Sequence, residues 1–215
     1  MMILTEDRMT AATVRPGGGR SWSSALLGGL GYLAHPVQAG AALLLLGLGV
    51  ITWLPAAAAA AHALHRWRTD GDQSCFAGTF RAFPRYWRRL WPLGIAAAAG
   101  TVLLIANLSF LYGRGGPAPV LLLAQLGLVA VAAPYLLAVA VVAARDPERT
   151  TGDWLRGAGW FAFGSAARGT ALLGAAVAAP ILSIVVPAGP LLLGTTVPLL
   201  VGLIIADQTA KTSAA

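Results

Sequence analysis

Four long runs of this sequence contain no charged residue, and they determine its class of fold. No Lys, Arg, Asp or Glu occurs between Arg20 and Arg66, Arg89 and Arg114, Arg114 and Arg145, or Arg168 and Asp207. Each run exceeds the roughly 20 apolar residues that a helix needs to cross the hydrocarbon core of a bilayer. Charged residues make up 11% of the chain, against about 25% in soluble domains. The sequence predicts an all-α, polytopic membrane protein.

Proline and glycine divide the uncharged runs into five to six predicted transmembrane segments. The string RGGP at 114–117 and the string PAGP at 187–190 are turn signals. The run 21–65 crosses either once or twice, and its hairpin interpretation puts the turn near Pro55. Residues 21–206 then form one helical membrane domain between a tail at 1–20 and a tail at 207–215. The predicted spans are 26–50, 55–65, 92–113, 119–144, 170–186 and 190–206.

The positive charges are distributed very unevenly between the predicted connections. With two crossings before Arg66, fourteen of the fifteen lysines and arginines lie on one side, and only Arg114 lies on the other. Cytoplasmic loops carry the excess of Lys and Arg in membrane proteins. The expected location is therefore a bacterial cell membrane, with both termini and the segments 66–90 and 145–168 in the cytoplasm.

The segment 76–91 is predicted to be an amphipathic cytoplasmic helix. At 100° per residue, its aromatic residues fall in one sector and its arginines fall opposite. A helix of this kind directly before a span typically lies in the headgroup layer with its apolar side towards the lipid. The candidate contact residues are Phe80, Arg81, Phe83, Arg85, Trp87, Arg88, Arg89 and Trp91.

The sequence leaves open whether this helix contacts membrane lipids or a protein partner. Grooves for nucleic acid also combine arginine with aromatic side chains. The positive-inside rule already accounts for the arginines, so no nucleic-acid partner is expected. A second copy of the chain is another candidate partner, because Gly94 with Ala98 and Gly174 with Ala178 place small residues four apart. Membrane helices approach closely at such positions, within one chain or between two.

Few residues are available for chemistry. The predicted spans contain no Lys, Arg, Asp or Glu, which argues against a proton-driven carrier. Asn107, Gln125 and Tyr135 either line a path for a small neutral solute or make interhelical hydrogen bonds.

Metal binding and catalysis are not expected from the sequence. His62 and His65 share a helix face, but with the single Cys75 they fall short of the four ligands of a zinc site. No GxSxG, HExxH or P-loop pattern occurs in the chain. No cofactor, no metal and no enzymatic activity are expected.

The string GLGVITWLPAAAAAAHALHRW at 47–67, followed by DGD and FAGTFRAFPRYWRRLWPLG, resembles the YesL-like family of small bacterial membrane proteins. The likeness covers about 40–95, and beyond it only the hydropathy is similar. This chain has alanine where the family often has threonine after the Leu-Pro pair, and its last hairpin is short. The matching positions are Leu54, Pro55, Ala56, Arg66, Phe76, Phe80, Phe83 and Trp87.

The resemblance implies a function linked to transport. Members of that family are commonly encoded beside carbohydrate ABC importers. An accessory membrane subunit that contacts an importer permease or ATPase is therefore the leading hypothesis. The alternative is a self-sufficient channel or carrier for a small neutral solute.

Overall fold

The protein is all-helical in the part of the chain that its structure, a computed structural model, describes. The described residues are 22–111, 118–184 and 196–214, with side chains described in 34–111, 119–178, 181 and 196–212. A short 3₁₀ turn at Val50–Thr52 joins the first two helices. The helices are α1 (Trp22–Gly47), α2 (Trp53–Asp70), α3 (Cys75–Leu111), α4 (Ala118–Arg145), α5 (Thr151–Phe163), α6 (Ala166–Ile184) and α7 (Thr196–Ala214).

Within these ranges, two helices are long and apolar enough to cross a membrane, namely α3 and α4. A third candidate is the pair α5 and α6, which meet at an angle of 98° and together would form one broken span or a re-entrant loop. The described helices are thus compatible with a membrane protein of two to three spans, and they do not support the predicted five to six.

The centre of the fold is α2. Every residue of 54–61 is buried, and α1, α3, α4 and α7 all contact this helix. A helix that is apolar on all sides is typical of the interior of a bundle. Its run of alanines at 56–61 presents only methyl groups, so neighbouring helices can approach it closely. The segment 55–65, one of the predicted spans, therefore lies in the core of the bundle.

Helices α1 and α2 form the hairpin that one interpretation of the sequence predicted. The ring of His35 stacks on Trp67 with the ring centroids 4.9 Å apart, which places the middle of α1 beside the end of α2. At the other end of the hairpin, the carbonyl oxygen of Ile51 touches the backbone of α3 at Gly94. The predicted segment 26–50 corresponds to α1, which ends at Gly47.

The hairpin packs against the arginine-bearing half of α3 and not against its apolar half. Ala63 lies beside Gly78, and the turn at Ile51 reaches no further along α3 than Gly94. Residues 92–111, where one span was predicted, therefore lie mostly beyond the end of this hairpin. The predicted spans 55–65 and 92–113 are therefore at different positions along the axis of α3.

Helix α3 runs without interruption through Pro84 and Pro92. The sequence predicted two elements here, an interfacial helix at 76–91 and a span beginning at Pro92. The helicity is confirmed, but the division between the two is wrong. At 1.5 Å per residue, its 37 residues extend over about 55 Å.

The outer halves of α3 (95–111) and α4 (119–133) leave most of their large apolar side chains exposed, although Leu111 is buried. Leu103 is 71% exposed and Leu123 is 69% exposed. The inner half of α4 behaves differently, because 138–141 and 143–144 are buried in the same core as α2. The molecule thus consists of a packed bundle from which two apolar helix halves project.

The last two predicted spans are described only in part. Residues 170–184 belong to α6, and 196–206 belong to α7. The turn signals at 114–117 and 187–190, and the tail at 1–20, lie outside the described residues. Helix α7 joins the bundle through close packing of Gly202, at which a Cβ atom would lie 2.7 Å from Val141 Cγ2.

The contact between α3 and the turn at Ile51 gives a test of this packing. The variant Gly94→Ala should be destabilised by about 1–3 kcal/mol, because the new methyl group would collide with a backbone carbonyl. The matched control is Gly100→Ala on the same helix, where a Cβ meets nothing within 4 Å. Thermal unfolding in mild detergent should show a lowered midpoint for Gly94→Ala only. Equal midpoints for the two variants would contradict the packing.

Candidate functional site

The charged residues of the described chain gather at one end of the bundle, which we call the basic end. It comprises 62–89 of α2 and α3, the loop 146–150 after α4, and Asp207 of α7. Asp207 accepts contacts from Arg68 at 3.0 Å and Arg145 at 3.7 Å, so it ties α7 to both α2 and α4. All three side chains are partly buried, at 27–30% exposure.

The buried Tyr86 and the half-buried His62 cap the carboxyl end of α4. The last four carbonyl groups of a helix have no partner within the helix. The hydroxyl of Tyr86 donates to the Ala143 carbonyl at 3.2 Å, and Nδ1 of His62 lies 3.1 Å from the Ala144 carbonyl oxygen. Because a carbonyl only accepts, the proton of a neutral His62 is on Nδ1 and its Nε2 is left as an acceptor.

Arg89 organises the loop that follows α4. Its guanidinium donates to the carbonyls of Pro147 at 3.1 Å and Arg149 at 2.9 Å. It also lies 5.3 Å from the centre of the Trp154 ring, a cation–π arrangement. Trp154 is fully buried and donates from Nε1 to the Asp146 carbonyl at 2.8 Å. The backbone of the loop is thus held by one arginine and one tryptophan.

Arg85 binds the same loop through an ion pair with Glu148. The hydrogen bond from Arg85, and then its charge, lower the pKa of the Glu148 carboxyl below its ordinary value. A carboxyl whose pKa is lowered on folding stabilises the folded state above its unfolded pKa. That contribution disappears as the pH falls through the lowered value. Since Glu148 is 84% exposed, the pair is a weak one.

A cavity of about 230 Å³ lies between α2 and α3 at the basic end. His62 and Tyr86, the two residues that cap α4, form part of its wall. One carboxylate, Asp72, lines it, and this group accepts from both the backbone N–H of Ser74 at 3.0 Å and its hydroxyl at 2.6 Å. These hydrogen bonds lower the pKa of Asp72. The guanidinium groups that line the cavity are those of Arg66, Arg81 and Arg85.

The four arginines among the predicted contact residues of α3 divide into two groups. Arg85 and Arg89 are used within the protein, as described above. Arg81 and Arg88 are exposed and make no ion pair with the described residues. The prediction of lipid or partner contact therefore bears mainly on Arg81 and Arg88 among the four arginines.

The aromatic residues of α3 are displaced from the face that the bundle buries. The buried face consists of Cys75, Thr79, Tyr86, Leu90 and Gly94. None of the four predicted aromatic contacts belongs to this face. Phe83 and Trp87 are half-buried with their rings 6.0 Å apart, whereas Phe80 and Trp91 are exposed. Sequence reasoning missed the inward role of Tyr86, whose hydroxyl donates to the Ala143 carbonyl.

The described contacts do not join Asn107, Gln125 and Tyr135, the residues of the predicted polar path, to one another. Tyr135 donates to the Leu155 carbonyl at 3.4 Å and stacks on Phe163, so its hydroxyl is directed towards α5. Gln125 has a buried side-chain nitrogen without a hydrogen-bond partner among the described residues. Asn107 lies in the outer half of α3 and is half-buried.

His62, His65 and Cys75 were weighed as metal ligands from the sequence. Among the described residues, no group of three or more His, Cys, Asp or Glu side chains is placed so that it could hold a metal ion. His62 is directed towards α4, and burial raises the pKa of the Cys75 thiol to about 11. A thiol with such a pKa is a poor nucleophile near neutral pH.

No family model, curated protein or solved structure matches this chain. The resemblance of about 40–95 to the YesL-like family therefore stays an expectation from the sequence.

The role of Arg89 can be tested against that of its neighbour. The variant Arg89→Gln loses both hydrogen bonds to the loop. Hydrogen bonds of charged groups contribute about 1.5–3 kcal/mol each. The variant should unfold at a lower temperature, and trypsin should cleave faster after Arg149. The control Arg88→Gln should change stability by less than about 0.5 kcal/mol. Equal effects of the two substitutions would contradict the assignment of the loop contacts to Arg89.

Proposed function

We propose that this chain is a membrane-anchored accessory subunit whose α3 helix binds a protein partner on the cytoplasmic side. In this proposal α3 and α4 cross the bilayer, and the bent pair α5–α6 enters it as a third element. The resemblance to the YesL-like family implies that the partner is the permease or the ATPase of a carbohydrate ABC importer. The chain itself contributes binding and no catalysis.

The observation that carries the proposal is the uninterrupted length of α3. If the 20 residues 92–111 cross the hydrocarbon core, they account for its thickness of about 30 Å. Phe80 and Phe76 precede Pro92 by 12 and 16 residues, and thus by about 18 and 24 Å. The headgroup layer adds only about 5–8 Å on each side. Even at a tilt of about 40° these two rings would lie beyond the lipid.

The exposed surface on this part of α3 has the composition of a protein-binding site. Phe76 is 41% exposed and Phe80 is 37% exposed, with their ring centroids 5.1 Å apart. Arg81 directly follows Phe80 and Arg88 lies about two turns further along α3, and both are exposed without an ion pair among the described residues. Arginine and large aromatic residues are enriched at the centres of protein interfaces. A partner with an apolar groove bordered by carboxylates would fit this surface.

The side of the membrane follows from charge. The arginines of α3 and the loop after α4 share the basic end with Arg66 and Arg68. Connections rich in arginine stay on the cytoplasmic side of bacterial membranes. This places the proposed partner surface where the ATPase of an importer, or the cytoplasmic loops of its permease, would meet it.

One observation supports a second candidate function. A buried amide nitrogen without a described partner, that of Gln125, is unusual in an apolar helix, because such a group costs free energy unless it is hydrogen-bonded. A neutral polar solute passing beside α4 would supply a partner. Uptake of that solute into vesicles that contain only this chain would support a channel, and its loss in Gln125→Leu would connect it to this residue.

The depth of α3 can be measured with cysteine labelling, because the chain has one cysteine, Cys75, and it is buried. In a Cys75→Ala background, single cysteines are introduced as Phe80→Cys and Leu103→Cys. In inverted membrane vesicles, a membrane-impermeant maleimide should label position 80 and should not label position 103. Protection of both positions would instead support a helix embedded along the lipid surface.

The partner surface is tested by co-purification from the native host in mild detergent. The wild-type chain should recover an importer permease or ATPase in stoichiometric amount. The variant Phe76→Ser/Phe80→Ser should lose at least about tenfold of this recovery, since removing central aromatic contacts typically costs about 2 kcal/mol or more. The matched control is Trp160→Ser, an exposed aromatic on α5. Loss of recovery in the control alone, or no importer component in any sample, would contradict the proposal.

A further inference from the structure

The cavity between α2 and α3 combines three guanidinium groups with a single carboxylate. Arg66 comes from α2, Arg81 and Arg85 come from α3, and Asp72 comes from the loop between the helices. We infer that this cavity binds the phosphate group of a small anionic compound. The cavity lies within one chain, but Arg81 also belongs to the proposed partner surface, and the soluble source of the ligand rests on the proposed function.

The arginines retain hydrogen-bond donors for such a ligand. Each guanidinium carries five N–H donors. Arg66 directs Nε towards Asp70 at 3.6 Å and one terminal nitrogen towards Asp72 at 3.2 Å. Arg85 directs a single terminal nitrogen towards Glu148. Arg81 makes no ion pair with the described residues, and so its planar donor edge is open to a bidentate contact with phosphate oxygens.

Two of the ion pairs of the cavity arginines, those with Asp70 and Glu148, are of a kind that an anion can replace, whereas Asp72 is 29% exposed and stays paired with Arg66. Asp70 is 59% exposed and Glu148 is 84% exposed. Exposed pairs of this type contribute about 0–1 kcal/mol. A phosphate dianion would gain contacts from several guanidinium groups at once, and the displaced carboxylates would be hydrated.

The backbone at the same place is already hydrogen-bonded. The first turn of α3 borders the cavity through Ser74 and Gly78. The N–H of Ser74 donates to Asp72 at 3.0 Å and that of Gly78 donates to the Ser74 carbonyl at 2.7 Å, so the arginines supply the donors for a phosphate group. The loop that leads into this turn is fixed by the hydrogen bonds of Asp72 to Ser74 and by Gly71, whose φ of 70° is left-handed.

Two residues of the cavity wall are held in place by contacts within the protein. His62 and Tyr86 are held by their hydrogen bonds to the end of α4. A preformed site loses less conformational freedom on binding than a flexible one. The volume of about 230 Å³ is below the roughly 300–1,000 Å³ of pockets for drug-sized ligands. The site therefore fits a phosphate group on a small molecule.

The distance of the cavity from the bilayer indicates that the phosphate group comes from a soluble compound. Arg81 precedes Pro92 by 11 residues, which corresponds to about 16 Å along α3. With 92–111 across the bilayer, as in the proposed function, this distance exceeds the headgroup layer. A phosphorylated solute would reach the cavity more readily than a lipid headgroup would.

The test uses the full-length chain in nanodiscs of phosphatidylcholine, titrated calorimetrically with inorganic phosphate. Saturable binding is expected. Arg81→Gln should weaken it at least about tenfold, which corresponds to the loss of a charged hydrogen-bonded contact. Arg88→Gln, on the same helix but outside the cavity, should leave the affinity unchanged. Thermal midpoints without phosphate should match for both variants, because each replaced side chain is exposed.

A second arm uses nanodiscs that contain phosphatidic acid and no added phosphate. A raised thermal midpoint that Arg81→Gln abolishes, without binding of inorganic phosphate, would support the phosphate site and overturn its soluble source. Absence of saturable binding in both arms would overturn the inference. Equal weakening by Arg81→Gln and Arg88→Gln would also overturn it, because it would show a general attraction to positive charge.

Discussion

The close packing of α3 against the alanine run of α2 is the contact on which the rest of the structure depends. Methyl groups at 56–61 leave no bulk between the helices, and glycines at 78 and 94 let the backbone of α3 approach. This packing fixes how far α3 runs alongside the α1–α2 hairpin. Beyond Gly94, α3 has no hairpin beside it and presents an apolar surface that water would not favour.

The same packing creates the basic end. With α3 in this position, Tyr86 reaches the carboxyl end of α4, and Arg85 and Arg89 reach the loop that follows it. The arginines nearest the bundle are therefore used for its assembly. Of the two that remain, Arg81 lines the cavity between α2 and α3, and Arg88 is exposed outside it. One helix thus provides the membrane anchor, the wall of a possible anion site and a surface for a partner.

Much of the helical architecture could be predicted from the sequence, since uncharged runs and an uneven distribution of arginine are local properties. How far each helix lies alongside its neighbours could not be predicted. The segment 55–65 is as apolar as a span, and only its contacts with 78–94 show that it lies beside the arginines. The break expected at Pro92 is absent, because a proline removes one hydrogen bond and other contacts can hold the helix together.

The contacts of the basic end were also beyond the reach of the sequence. Arg89 and the carbonyl of Arg149 are 60 residues apart, and no periodicity connects them. The amphipathic pattern identified an aromatic face correctly, but the bundle buries the adjacent face with Cys75, Thr79 and Tyr86. Small and hydroxyl-bearing side chains carry little hydrophobic signal, although they are the ones that fit against a helix of alanines.

The continuity of α3 is the central claim, and a distance within the chain tests it most directly. Spin labels at positions 80 and 103, in the Cys75→Ala background, can be measured by pulsed electron paramagnetic resonance in lipid bilayers. An uninterrupted helix separates the two backbone positions by about 35 Å, at 1.5 Å for each of 23 residues. A surface helix that turns at right angles into a span at Pro92 would separate them by about 24 Å. The first distance is the predicted one, and the second would contradict the account.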